Sequence, residues 1–168
     1  MKYAKIIEND VVNCMEGITV SLFMSGCPHH CKGCFNQETW NPNFGTEIEI
    51  DDLCDKLNDL IEAYEVERSF SILGGEPLAE YNRKNTRYII HKIKEQNKNI
   101  TIYLWSGYTL EELKDMNDED INDVLLNVNY FIDGRFVESL KDTNLKLRGS
   151  SNQNIYFIEN NKLKRIMI

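Results

Sequence analysis

The sequence predicts an α/β fold built on a mainly parallel sheet, and three observations lead to this prediction. Short apolar runs typical of strands alternate along the chain with longer segments whose apolar residues recur at helical spacing. Strands separated by helices are typical of right-handed βαβ crossovers, which make neighbouring strands parallel. Two turn-rich motifs, one around Cys27 and one at 74–77, each follow a predicted strand directly. Because ligands of open parallel sheets bind where the strands end, we expect both motifs to share one rim of the sheet.

The first predicted elements are a strand, a helix and a second strand. Residues 18–24, ITVSLFM, predict a strand because their alternate residues are apolar and fall on one face: Ile18, Val20, Leu22 and Met24. The segment from Ile50 to Tyr64 predicts an amphipathic helix, with apolar residues at positions 50, 53, 54, 57, 60, 61 and 64. Residues 69–73, SFSIL, predict a short buried strand that runs into the turn GGEP at 74–77.

The rest of the chain continues this alternation. Residues 85–97 predict a helix whose inward side carries Ile89, Ile90 and Ile93, and residues 100–105, ITIYLW, predict the third strand. Thr109 and Glu112 form a capping-box signature at the start of a short helix. A second short helix follows, with a buried side formed by Ile121, Val124 and Leu125. NYFID at 129–133 predicts the fourth strand, and IYFIE and LKRIMI in the tail predict two more.

The size and charge of the chain narrow the classes of function. A chain of 168 residues is most simply one domain, here residues 1–168. Its formal net charge of -8 argues against nucleic acid as the main partner, because phosphate binding draws on clustered Lys and Arg. The N-terminus MKYAKIIEND has no apolar signal-peptide core, and no apolar run is long enough to predict a membrane span. We therefore expect a cytoplasmic protein whose five cysteines are reduced thiols or metal ligands rather than disulfides.

Three of these cysteines lie within one short segment, CPHHCKGC at 27–34. Thiolates select iron–sulfur clusters, zinc or copper(I). A zinc site could take a fourth ligand from His29 or His30, although all four ligands would then crowd into one loop. An electron-carrying cluster would need a fourth cysteine, and the C-x3-C-x2-C spacing is one residue shorter than the plant-type spacing. The remaining possibility is a [4Fe–4S] cluster with three protein thiolates, whose fourth iron takes its ligand from a substrate.

The other two cysteines are poor candidates for a fourth ligand. Cys54 falls on the apolar face of the predicted helix that starts at Ile50, where a small buried hydrophobe is expected. Cys14 precedes the first predicted strand, where packing or a reduced thiol is the usual role. Within the cysteine loop, Pro28 stiffens the backbone and Gly33 allows close approach, and both properties suit a loop that wraps a cluster.

The cysteine loop and the glycine turn together resemble the radical S-adenosylmethionine (SAM) superfamily. CPHHCKGCF has the C-x3-C-x2-C spacing followed by an aromatic residue, and GGEP resembles the second motif of that superfamily. Four further segments resemble the activating enzymes of anaerobic ribonucleoside-triphosphate reductase: NQETW, WSGYT, DGRF and LRGSSNQ. These matches run from about residue 12 to residue 153 of the chain.

The resemblance implies a fold and the cluster ligands. The fold would be an open, partial (β/α) barrel of the radical SAM type with a mainly parallel sheet. Cys27, Cys31 and Cys34 would each hold one iron, and SAM would chelate the fourth iron through its amino and carboxylate groups. Phe35 would lie beside the adenine ring, and Gly33 and Cys34 would add backbone contacts.

The resemblance also assigns the glycine turn. Gly74 and Gly75 would lie beside the methionyl amino group of SAM, where missing Cβ atoms let backbone oxygens reach its protons. The chain departs from the pattern of its relatives at two places. Leu73 stands where they often have a small residue, and NCMEG at 13–17 stands where they have a glycine-rich turn.

The reaction that the resemblance implies is activation of a second protein. An electron from reduced flavodoxin or a similar carrier would reduce the cluster, and SAM would be cleaved to methionine and a 5′-deoxyadenosyl radical. That radical would take a hydrogen atom from a glycine of the large subunit of the anaerobic reductase, leaving a glycyl radical. The alternatives are an activase or radical SAM enzyme for another substrate, a ferredoxin-like electron carrier and a zinc-binding module.

No side chain is assigned as a general acid or base, because the cluster and SAM carry the chemistry. His29 and His30 are expected to be solvent-side loop residues that affect cluster polarity or partner docking. Arg135 and Arg148 could bind either SAM or an acidic surface of the reductase. The segment SSN at 150–152 could take part in function or simply form a turn.

Overall fold

The computed structural model describes residues 1–63, 65–159 and 162–168. Tyr64, the last apolar position of the first predicted helix, lies outside the described residues. The described chain has the following strands: β1 Lys2–Asp10, β2 Ile18–Met24, β3 Thr46–Glu47, β4 Arg68–Gly74, β5 Ile102–Trp105, β6 Tyr130–Asp133, β7 Asn154–Glu159 and β8 Lys162–Ile166. Its α-helices are α1 Ile50–Glu62, α2 Arg83–Gln96, α3 Leu110–Met116 and α4 Glu119–Asn127. Short 3-10 turns lie at Gln37–Trp40 and Glu138–Leu140.

The strands and helices that the sequence predicts are confirmed, with shifts of about two residues at their ends. The capping box of α3 is also confirmed, because Glu112 N donates to Thr109 Oγ1 at 3.2 Å and Thr109 N donates to Glu112 Oε2 at 2.8 Å. The strand β1 was not predicted. Tyr3 and Asp10 are its only buried residues, so the segment carries no alternating apolar pattern.

The eight strands of the described residues form one mixed sheet in the order β3-β1-β2-β4-β5-β6-β7-β8. The central strands β2, β4, β5 and β6 run parallel. The four other pairings are antiparallel, so the prediction of a mainly parallel sheet is wrong for the sheet as a whole. The reason lies in the connections. Helices supply the parallel crossovers, whereas residues 11–17 and 134–153 join β1 to β2 and β6 to β7 without an α-helix.

The two faces of the central strands have different environments. One face packs against all four helices and forms the apolar core: Val20, Leu22, Met24, Phe70, Ile72, Ile102, Leu104 and Phe131 come from the strands, and Leu53, Leu57, Ile89, Ile90, Ile93, Leu113, Ile121 and Val124 come from the helices. The alternate strand residues point to the other face. There the buried hydroxyls of Thr19, Ser21 and Ser71 lie beneath residues 10–17, with Ser71 Oγ donating to Asn13 O at 2.6 Å. No helix within the described ranges is long and apolar enough to cross a membrane.

Candidate functional site

A cavity of about 490 Å³ opens beside the carboxyl ends of the parallel strands. Residues from all the motifs singled out in the sequence line it: Cys27, Cys31, Cys34, Phe35, Gly74, Gly75, Trp105, Gly134, Arg135, Arg148, Gly149 and Gln153. The prediction that the cysteine loop and GGEP share one rim is therefore confirmed. The carboxyl ends of neighbouring parallel strands bring these distant segments together.

The three clustered cysteines are free thiols on the cavity wall, each partly exposed. Burial raises the pKa of the Cys27 thiol to about 11, and backbone hydrogen bonds from His29 and His30 act in the opposite direction. Burial also raises the pKa of Cys31, against a backbone hydrogen bond from Phe136. At Cys34, Asn36 N donates to Sγ at 3.4 Å. Backbone N–H groups therefore oppose the effect of burial on the pKa of Cys27 and of Cys31, and Cys34 accepts one backbone hydrogen bond.

These residues fit an iron–sulfur cluster by the chemistry of the donor set. Soft thiol donors surround one cavity and receive backbone N–H groups, which are the groups that tune cluster potentials. Cys54 lies instead in the apolar core, and Cys14 is buried with Sγ 3.5 Å from Gly17 O. Neither of these two thiols lines the cavity. In the described ranges, no three His, Cys, Asp or Glu side chains converge on the position of a single metal ion.

Both histidines of the loop have other partners. The side chain of His29 is 5% exposed, and its Nε2 lies 2.8 Å from Glu76 Oε2. The prediction that His29 faces solvent is therefore wrong, because a buried carboxylate distant in sequence draws its ring inward. His30 is exposed, as predicted, and its ring stacks on Trp40 with centroids 4.8 Å apart.

Glu76 of GGEP is the functional-site residue that the sequence analysis missed. Its carboxylate is fully buried and surrounded by four hydrogen-bond donors: His29 Nε2 at 2.8 Å, Gly107 N at 2.7 Å, Ser106 Oγ at 2.8 Å and Leu78 N at 2.9 Å. The side chain thereby joins the cysteine loop, the turn after β4 and the turn after β5. The signal available in the sequence was a charged residue in a turn between apolar segments. The sequence did not show the partners of Glu76, which lie 2 to 47 positions away along the chain.

The two glycines of GGEP permit a close approach of backbone segments. Gly74 has φ 98°, and a Cβ there would lie 2.8 Å from Phe23 Cα. A Cβ on Gly75 would lie 2.4 Å from Gly26 O. Gly75 N donates to Met24 O at 2.9 Å, and Glu76 N donates to Gly26 O at 2.8 Å. Glycine at these positions therefore lets the turn pack directly against the start of the cysteine loop.

Phe35 stands at the mouth of the cavity with 60% of its surface exposed. Its ring centroid lies 5.2 Å from that of Phe136, and Lys141 Nζ lies 4.9 Å from the same ring. Gly33, with φ 73°, passes beneath Glu138, whose Oε1 would lie 2.8 Å from an added Cβ. An exposed aromatic ring beside a cavity offers a stacking surface for a planar ligand.

Residues 134–153, here called the covering loop, contain LRGSSNQ and all of DGRF except Asp133, which ends β6. Arg135 Nη1 donates to Glu112 at 2.9 and 3.2 Å, and Arg148 Nη2 donates to Ile168 O at 2.6 Å. Both arginines also line the cavity. In the segment 150–152, Ser150 is buried and Ser151 is exposed. Asn152 Nδ2 donates to Arg135 O at 2.9 Å, so the two motifs are in direct contact.

The two departures from the pattern of relatives both reach the cavity. Leu73 is 7% exposed and contributes to its wall. Val12 and Asn13 also line it, held by backbone hydrogen bonds from both residues to Asp10 Oδ1 at 2.8 and 3.2 Å. Burial raises the pKa of Asp10, but hydrogen bonds from Asn13, Ser21 and Val12 outweigh burial and lower that pKa overall. The N-terminal segment thus contributes to the cavity through a buried carboxylate.

Comparison with known proteins agrees with this site. Residues 15–156 match the family described as a 4Fe-4S single cluster domain. Three similar relatives are named anaerobic ribonucleoside-triphosphate reductase-activating protein. That of Haemophilus influenzae is 34% identical over 93% of this chain and 97% of its own length. That of Escherichia coli K12 is 35% identical over 94% and 99%, and that of Enterobacteria phage T4 is 31% identical over 93% and 94%.

Proposed function

The chain belongs to the family of anaerobic ribonucleoside-triphosphate reductase-activating proteins, with a 4Fe-4S single cluster domain, and we propose that it is a radical SAM activase of such a reductase. The observation that carries the proposal is the composition of the cavity. Three thiols with N–H donors line it together with the glycine turn and an exposed aromatic ring, while the other two cysteines lie elsewhere.

We assign Cys27, Cys31 and Cys34 as ligands of three irons in a [4Fe–4S] cluster. Loading must remove the protons of these thiols, including that of Cys27, whose pKa burial raises to about 11. A cluster held there would supply the electron needed to cleave SAM into methionine and a 5′-deoxyadenosyl radical, and this radical would take a hydrogen atom from a glycine of the reductase.

The remaining cavity residues would bind and orient SAM. Phe35 offers its exposed ring to adenine, with Gly33 and Cys34 supplying neighbouring backbone groups. Gly74 and Gly75 would offer backbone groups to the methionyl amino group. Glu76 would keep this turn in place against the cysteine loop through its hydrogen bonds to His29, Ser106 and Gly107. No residue is required as a general acid or base.

The open sheet suits a macromolecular substrate. Among the described strands β3 and β8 are the two edges of one sheet, and we propose that this sheet is a partial barrel of the radical SAM type. A barrel that is not closed leaves room for a glycine-bearing segment of the reductase large subunit to enter laterally. The electron donor would be reduced flavodoxin or a similar carrier, and the reaction would take place in the cytoplasm.

The experiment that tests this function combines the protein with its proposed partner. Anaerobically reconstituted protein should hold about four irons per chain and, with SAM, reductant and the reductase, should produce the EPR doublet of a glycyl radical. Cys31→Ala should lose both the cluster and the doublet. The matched control is Cys54→Ala, which removes a thiol outside the cavity and should keep both. A full cluster without any glycyl radical on the reductase would favour an electron carrier instead.

A further inference from the structure

The covering loop lies across the cysteine loop. Lys32 Nζ lies 3.1 Å from Glu138 Oε2, and a Cβ on Gly33 would lie 2.8 Å from Glu138 Oε1. The Phe136 ring lies 5.2 Å from that of Phe35. The Phe136 backbone N–H acts on Cys31 as a donor that lowers the pKa of this thiol, against the opposite effect of burial. The position of the covering loop therefore determines contacts at three neighbouring parts of the cysteine loop.

The covering loop has little regular structure to hold it there. It contains one short 3-10 turn, Glu138–Leu140, and an isolated bridge between Lys141 and Ser150. Ser150 Oγ accepts a hydrogen bond from Val137 N at 3.1 Å, which ties the two halves of the loop together. Loops of this length need side-chain hydrogen bonds to keep one conformation, because each ordered residue costs conformational entropy.

Gln153 joins the two ends of the covering loop. Its Oε1 accepts hydrogen bonds from Gly149 N at 2.8 Å and Ser150 N at 3.1 Å. Its Nε2 donates to Gly134 O at 2.8 Å. One half-buried amide thus uses three of the four hydrogen bonds open to it, all with backbone groups of the loop.

We propose that Gln153 is a positioning residue that fixes the covering loop so that the Phe136 N–H stays against Cys31 and the Phe136 ring stays against Phe35. This inference rests on the proposed function, because it takes Cys31 as a cluster ligand. Hydrogen bonds to cluster sulfurs raise the reduction potential and outer-shell groups orient the ligands. Loss of the Gln153 hydrogen bonds should therefore make the cluster harder to reduce.

The test uses the reconstituted protein with Gln153→Ala and the control Asn144→Ala. Asn144 lies in the same loop and is exposed, and within the described residues its hydrogen bonds are with Asp142. In Gln153→Ala, limited trypsin digestion should cut faster after Lys141 and Lys146, both of which are exposed. In an EPR-monitored redox titration the ratio of reduced to oxidised cluster at a fixed potential should fall by roughly 2- to 10-fold, the equivalent of one net hydrogen bond. Asn144→Ala should match the wild type in both measurements.

Wild-type cleavage and wild-type potential in Gln153→Ala would overturn the inference. Should Gln153→Ala fail to fold, Ser150→Ala gives the second test, because it removes the acceptor of Val137 N and should produce a smaller shift in the same direction. Unchanged behaviour in Ser150→Ala would then overturn the inference. Failure of the proposed function would give a different result. The EPR spectrum of the wild-type cluster would not change on adding SAM, while the effects of Gln153→Ala on trypsin cleavage and on the reduction potential would persist.

Discussion

The helix-covered face of the sheet and the cavity face are built by different means. On the helix side, fully buried apolar residues such as Phe70 and Leu22 pack against α1 to α4. On the cavity side, a few polar side chains hold irregular segments in place by hydrogen bonds to backbone groups: Asp10, Glu76, Asp133 and Gln153. Apolar packing spreads its stabilisation over many residues, whereas each polar anchor sets the position of one segment of the cavity. The first region should therefore control stability, and the second should control cluster and cofactor binding.

The largest expected effect separates stability from cluster binding. Phe70→Ala removes a fully buried ring from β4 and should lower the free energy of unfolding by about 3–5 kcal/mol. A denaturant titration followed by circular dichroism measures this loss. Because Phe70 faces the helices rather than the cavity, the iron content per folded chain at low temperature should equal that of the wild type. A cluster lost while the protein is still folded would show that the two regions are not separable.

The second prediction concerns the carboxylate anchor. Glu76→Gln keeps the shape of the side chain but turns an NH2 group toward at least one of the four surrounding donors. The free energy of unfolding should fall by about 2 kcal/mol, as expected for hydrogen bonds to a charged group. Iron content per folded chain should also fall, because the cysteine loop loses the charged acceptor that holds His29 in place.

The control for Glu76 lies four residues away. Glu80 follows the same turn and is exposed, so Glu80→Gln should leave both stability and iron content unchanged. Equal effects of the two substitutions would mean that net charge, rather than the hydrogen bonds of Glu76, is responsible.

A comparable effect is expected at the contact between the turn after β4 and the cysteine loop. Gly75→Ala places a Cβ 2.4 Å from Gly26 O, so the turn after β4 must move away from the cysteine loop. Overpacking of this kind costs roughly 1–3 kcal/mol. Thermal unfolding measures the loss of stability, and the iron content of the reconstituted variant measures the displacement of the loop. Wild-type values in both assays would contradict the close contact.

The smallest effect concerns the buried thiol of Cys54 in α1. Burial raises the pKa of Cys54 to about 11 from the ordinary value of 9.0, so the folded state keeps a proton that the unfolded state releases. This contribution to stability is complete below pH 9 and is lost as the pH rises toward 11. It amounts to about 1 kcal/mol between pH 8 and pH 10. Cys54→Ala should show a correspondingly flatter pH dependence of its unfolding free energy, and the same slope as the wild type would contradict the burial of Cys54.

The same division explains what the sequence could predict. Strand β2 and helix α2 were predictable because each has a buried apolar face, and the spacing of its apolar residues shows this face in the sequence. The spacing of the three clustered cysteines and the glycine turn were readable as local motifs. Strand β1, at the other end of the sheet from β7 and β8, was not predictable, because it has only two buried residues and no alternating pattern.

Side-chain hydrogen bonds between distant segments could not be predicted from the sequence. His29 was placed in solvent because its partner Glu76 is 47 positions away. Gln153 was noted only as the last residue of LRGSSNQ and was assigned no role, although its amide binds Gly134 O and Gly149 N. Side-chain hydrogen bonds of this kind have no periodicity, so they become visible only when the fold brings both partners together.

The most direct measurement is the EPR spectrum of the reduced, reconstituted protein with and without SAM. The proposed activity requires an iron whose fourth ligand comes from outside the chain. Addition of SAM should therefore change the g-values of the cluster signal, and Cys31→Ala should have no such signal. A cluster spectrum that stays the same at saturating SAM would contradict the open iron and, with it, the proposed activity.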